Sequence, residues 1–158
     1  MIFDMSSTVK DRKKYLMRGG SLCTSATGGW ASVAKAYQEW GGGTPVAPTV
    51  TQNSSSITLS VNGNYGTGLV HTSNKINLSI FGTLNMSGSV TNNNMTHLVI
   101  LSEIGTYAKD NEVAGADLGT GARSVDVSNL SGEYYIAFRL SSGLNTASTI
   151  DVTSLWME

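Results

Sequence analysis

The stretch Tyr134-Tyr135-Ile136-Ala137-Phe138-Arg139-Leu140-Ser141 decides the fold class. Its large apolar side chains, Tyr134, Ile136, Phe138 and Leu140, fall at every second position. A β-strand sends successive side chains to opposite faces, so these four share one face. Tyr135, Ala137, Arg139 and Ser141 share the other. A helix would scatter the same four around its circumference.

The same period recurs along the chain from Thr49 onward. Ile57-Thr58-Leu59-Ser60-Val61 alternates, Gly68-Leu69-Val70-His71 is a short strand, and Ile76, Leu78 and Ile80 alternate. Leu84, Met86 and Val90 repeat the pattern, as do Val125 and Val127. His97 to Ser102 holds the unbroken run Leu98-Val99-Ile100-Leu101, which predicts a strand buried on both faces. Thr149-Ile150-Asp151-Val152 opens a last strand that continues through Leu155-Trp156-Met157. Asn62-Gly63-Asn64 and Asn92-Asn93-Asn94 are turns, because Asn and Gly tolerate positive φ. Gly105 to Gly121 reads as a long polar loop. Roughly eight short strands with turns between them predict an all-β fold, an antiparallel β-sandwich of the jelly-roll kind.

The N-terminal part reads differently. Ser6-Ser7-Thr8 would cap a short helix over Val9 to Met17, stopped by Gly19-Gly20. Residues 1–22 are therefore expected to form an attachment arm and residues 23–158 the sandwich. Trp30, Val33, Tyr37 and Trp40 are spaced as one helix face, while the Gly28-Gly29 and Gly41-Gly42-Gly43 brackets also suit an irregular strand and loop. Gly41 to Pro48 is linker-like.

Ser, Thr, Asn and Gly supply 68 of the 158 residues, whereas charged residues make up 13%. The polar surface is thus built from hydroxyls and amides. The net charge of −1 argues against a nucleic-acid binder that works by neutralising phosphates. No apolar run approaches the ~20 residues of a membrane helix, so no membrane insertion is expected. The N-terminus shows no basic stretch followed by an apolar one, so no secretory signal is expected. The charge is uneven: residues 1–40 hold six basic and three acidic side chains, the remainder four and eight. A basic arm and an acidic body would meet different partners. The arm's candidate attachment residues are Lys10, Arg12, Lys13, Lys14, Leu16 and Arg18.

Catalytic patterns are thin. Cys23 is the only cysteine, which excludes an internal disulfide. His71 and His97 lack metal-ligand spacing, and no metal or other cofactor is expected. No G-x-S-x-G occurs. Glu103, Asp110, Glu112, Asp117, Asp126, Glu133 and Asp151 are the carboxylates that could supply a glycosidase pair, but solvated loop positions explain Asp110, Glu112 and Asp117 adequately. A sugar-binding surface fits better. Sugar CH faces stack on aromatic rings, and hydroxyls need fixed amide, hydroxyl or charged partners. The candidate glycan contacts are Tyr65, His71, Tyr107, Tyr135 and Arg139. Such tyrosines also serve as plain packing residues in sandwiches.

Tyr15-Leu16-Met17-Arg18-Gly19-Gly20-Ser21-Leu22-Cys23-Thr24-Ser25-Ala26-Thr27-Gly28-Gly29-Trp30 resembles a leader of tail, tail-fibre and baseplate-type proteins of Firmicutes phages and prophages. Asn74-Lys75-Ile76-Asn77-Leu78-Ser79 is similar to a short turn of the same proteins, with Asn77 in place of their usual Asp. Ser21-Leu22 stands where many relatives carry an acidic residue. Ile150-Asp151-Val152-Thr153-Ser154-Leu155-Trp156 is similar to the last strand of carbohydrate-binding jelly rolls. The resemblance implies a virion structural protein, not an enzyme, displayed on the particle as a homo-oligomer or in several copies. It would dock on other virion proteins and present its sandwich to host-surface polysaccharide. Two alternatives remain open: a ligand-free decoration, collar or capsid-associated protein, and more remotely an accessory to a cell-wall hydrolase.

Overall fold

The computed structural model describes residues 13–37, 43–91 and 96–158. Within them the chain forms two sheets that pack face to face, an all-β sandwich as expected. The first sheet holds β1 (Lys14–Arg18), β2 (Ser21–Leu22), β5 (Thr49–Gln52), β6 (Ile57–Val61), β9 (Thr83–Thr91), β12 (Ser124–Asp126) and β14 (Ser148–Met157). The second holds β3 (Trp30–Ala34), β4 (Thr44–Pro45), β7 (Gly66–Thr72), β8 (Ile76–Asn77), β10 (His97–Leu101), β11 (Glu112–Asp117) and β13 (Glu133–Ser141). All pairings are antiparallel except β4 with β7.

Alternation decides what fills the centre. Leu59, Leu84, Ile150 and Leu155 from the first sheet meet Leu98, Ile100, Ile136 and Phe138 from the second, each 1% exposed or less. Burying an aliphatic or aromatic side chain of this size contributes ~1.5–3 kcal/mol, and this interior holds the sheets together.

Strand β14 organises the first sheet. One side pairs with β9 along nearly its whole length. The other side is shared: Ser148–Val152 pairs with β6, and Ser154–Met157 with β1. The change of partner falls at a register shift between Val152 and Ser154. Thr153 is the extra residue there, and its carbonyl accepts a 3.0 Å bond from Gly20 N. Opposite the bulge lies Gly88 at φ +151°, where a Cβ would stand 1.9 Å from the Asp151 carbonyl oxygen. Only glycine fits where the two backbones approach this closely.

Four expectations are corrected. The helix over Val9–Met17 is, for its described part, strand β1. Tyr15 pairs with Trp156, and Leu16 and Met17 are 0% and 1% exposed in the core. A helix this short has little stability in isolation, and docking against β14 prevails. The segment 1–22 is thus built into the first sheet from Lys14 onward; residues 1–12 lie outside the described residues. Of the two readings open for the segment from Trp30, the strand is the one formed: β3 pairs with β7, with the Trp30 ring 5.9 Å from that of Phe138. Trp40 lies outside the described residues. The Gly41–Pro48 linker contributes β4 beside β7. The polar loop at 105–121 contains β11, ordered by pairing with β10 rather than by apolar periodicity. The turn expected at Asn92–Asn94 lies outside the described residues.

Candidate binding faces

The outward side of the second sheet gathers most of the expected sugar contacts. Pairing between β10, β13 and β7 sets His97, Arg139 and Leu69 in one row and Val99, Ala137 and His71 in the next. Tyr135 follows, opposite Leu101. Leu69, Val99, Leu101 and Ala137 on this side are buried, and with Ala108 they form a second, smaller core. Two loops roof it. Ala108 N donates to Ala36 O at 2.8 Å, and Lys35 Nζ donates to Gly105 O at 2.5 Å.

Under this roof Arg139 is 2% exposed and His71 8%. Arg139 Nη1 donates to Glu112 Oε2 at 2.5 Å, and its guanidinium lies 5.5 Å from the Tyr37 ring centre. His71 Nδ1 lies 2.8 Å from Thr72 O, a contact that places the ring proton on Nδ1. The His71 ring meets Tyr135 edge-on, centroids 5.5 Å apart. Tyr135 is half-buried at the margin of the roof. Lys75 Nζ lies 5.4 Å from its ring centre and donates to Glu103 Oε1 at 2.5 Å. That bond to Glu103 raises the Lys75 pKa above its ordinary value, against the opposing pull of desolvation.

The structure therefore brings His71, Tyr135 and Arg139 together, with Tyr107 in the roof loop above. It covers His71 and Arg139, leaving Tyr135, Lys75 and Glu103 as the accessible margin. Tyr65 stands apart. It occupies the β6–β7 turn at φ +57° and is 55% exposed.

The outward side of the first sheet carries a second aromatic group that the sequence reading missed. Tyr15 on β1 and Trp156 on β14 are directly opposite, ring centres 6.1 Å apart. Lys13 Nζ lies 5.4 Å from the Trp156 ring and the Arg18 guanidinium 4.9 Å from Tyr15. Asn85, opposite Trp156 on β9, donates to Glu158 at 3.3 Å. Of the expected attachment residues, Lys13, Lys14 and Arg18 are exposed along this edge. Leu16 is wholly buried and is corrected to a core residue. Lys10 and Arg12 lie outside the described residues. Among other outward hydroxyls of this sheet, Thr58 donates to the Asp151 carboxylate, Ser60 meets Thr149 and Ser87 meets Thr153.

Most candidate carboxylates are occupied by local structure. Asp110 accepts from Tyr107 N, Asp117 from Gly119 N, and Asp126 from Ser128 N. Glu103, Glu112 and Asp151 bond Lys75, Arg139 and Thr58. Among the described residues no three His, Cys, Asp or Glu side chains group as metal ligands would, and no helix is long and apolar enough to cross a membrane.

No family model, curated protein or solved structure matches the chain.

Proposed function

We propose that the chain is a structural protein of a bacteriophage particle whose sandwich has two working faces. The outward side of the first sheet, at Lys13, Tyr15, Arg18 and Trp156, docks on a neighbouring virion protein. The second sheet faces away from the particle and binds host-surface glycan at Tyr135, Lys75 and Glu103. The observation that carries this reading is the placement of two separate aromatic-and-cation groups on the outward sides of the two opposed sheets. Aromatic rings beside fixed charged donors suit sugars, and an exposed face rich in Arg, Tyr and Trp suits a protein partner. A binding role is supported by the capping and pairing contacts that hold most of the carboxylates a hydrolase would use.

A second reading, a ligand-free decoration or collar protein, draws support from the roof that closes over His71 and Arg139. Co-sedimentation separates the two. The purified chain is mixed with host cell walls and, in parallel, with particles lacking it. Binding to both supports the two-faced protein; binding to particles alone supports the decoration protein. Arg18→Glu with Lys13→Glu is expected to abolish particle binding and leave wall binding intact.

A further inference from the structure

Every candidate carboxylate but one is engaged by capping or pairing contacts. The exception is Glu133, which makes no hydrogen bond or ion pair among the described residues. Glu133 opens β13, where its backbone is fixed by pairing with Asn77, and its side chain is exposed. Tyr135 lies two positions on. The two side chains therefore stand on one side of the sheet, about 7 Å apart along the strand. The charge of Glu133 also reaches Lys75, where it adds to the bond with Glu103 in raising the Lys75 pKa.

The Tyr135 ring already holds one ammonium. Lys75 Nζ lies 5.4 Å from the ring centre, within the ~6 Å reach of a cation–π contact, and its counter-charge is Glu103 at 2.5 Å. A ring and a carboxylate together receive a primary ammonium there. Beside the same ring Glu133 supplies a second carboxylate with no cation on it. An anionic ligand finds no unpaired cation at this margin. It must first draw Lys75 off Glu103 and then meets Glu133. A cationic ligand meets a free carboxylate next to an aromatic ring and displaces nothing.

We propose that Glu133 is a specificity-determining residue of the glycan site, and that the glycan carries a free primary amine whose ammonium Glu133 binds beside the Tyr135 ring. This rests on glycan binding at the second sheet. The amine has two sources with the same ammonium chemistry, an amino sugar or an aminoacyl ester on the polymer. The contact is exposed, so salt weakens it.

Calorimetric titration of the full chain with host wall polysaccharide, before and after its amines are capped with acetic anhydride, tests this. The wild type is expected to bind the native polymer about tenfold or more tightly than the capped one, ~1.4 kcal/mol. Glu133→Gln keeps the side-chain size. It is expected to bind the native polymer as weakly as the wild type binds the capped one, and to show no difference between the two forms. Mild alkali removes esters and spares amino sugars. Lost affinity after alkali assigns the amine to an ester and retained affinity to an amino sugar, both in keeping with the proposal. Equal wild-type affinities for native and capped polymer, or a folded E133Q chain that discriminates as the wild type does, overturn the proposal and leave glycan binding standing. No heat with either polymer overturns glycan binding at this sheet and the proposal with it. Should E133Q fail to fold, salt decides: wild-type affinity for the native polymer that falls between about 0.05 and 0.5 M salt, with affinity for the capped polymer steady, supports the proposal, and equal behaviour of the two overturns it.

Discussion

Arg139 donates to Glu112 across the outward side of the second sheet, at 2.5 Å, with 3% of the Arg139 side chain and 21% of Glu112 exposed. Arg139 Nε has no partner among the described residues, so Glu112 is the main compensation for a buried guanidinium. Removing one member of such a pair costs far more than removing both. Glu112→Ala is therefore expected to lower stability by about 3 kcal/mol in urea denaturation, somewhat offset by the partial exposure of Glu112. Glu112→Leu with Arg139→Met is expected to recover most of that loss. Equal losses in the single and double variants would show that the pair does not carry the roofed face.

Strand β1 makes the N-terminal boundary testable. Leu16 is wholly buried between β14 and the second sheet, and Leu16→Ala is expected to cost about 2–5 kcal/mol. Deleting residues 1–22 removes Leu16, Met17 and the partner of Ser154–Met157, and is expected to yield a chain without cooperative thermal unfolding. Deleting residues 1–12 leaves every contact described above in place. A chain lacking residues 1–22 that melts like the whole protein would contradict the role assigned to β1.

Cys23 precedes the single helical turn at Thr24–Thr27, with its sulfur 3.3 Å from Ser25 Oγ. That hydrogen bond, then the Ala26 backbone N–H, lowers its pKa from the ordinary 9.0. Both favour the thiolate. The rate of iodoacetamide alkylation is expected to reach half its maximum below pH 9.0, and Ser25→Ala to move that midpoint upward. An unchanged midpoint in S25A would remove the hydroxyl as the cause.

The strands that the sequence made legible are those whose two sides differ. Ile57–Val61 alternates because one side faces the core; Glu133–Ser141 alternates because its core side is apolar while its roofed side keeps the polar Arg139 and Ser141; and His97–Leu101 holds an unbroken apolar run because both of its sides are covered. Strands β1 and β3 were illegible for a related reason. Their apolar residues also fit a helical spacing, and the choice is made by β14 and β7, far away in the chain. Strand β11 has no pattern of its own, since Ala114 and Gly115 take their conformation from β10. For the candidate site, alternation placed His71, Tyr135 and Arg139 on the outward side. It could not show that loops at 35–37 and 104–110 would roof that side, because loop placement depends on contacts such as Ala108 to Ala36. Tyr15 and Trp156 were missed as a pair because their adjacency exists only through β1–β14 register.

The most direct test of glycan binding at the second sheet is calorimetric titration of host wall polysaccharide into the wild-type chain, Tyr135→Ala and Tyr65→Ala. Tyr135 sits beside Lys75 and His71, whereas Tyr65 projects alone from a distant turn. The account predicts saturable binding by the wild type, unchanged affinity in Y65A, and a loss of about tenfold or more in Y135A, ~1.4 kcal/mol. No heat with the wild type, or equal affinities for wild type and a folded Y135A, would contradict it.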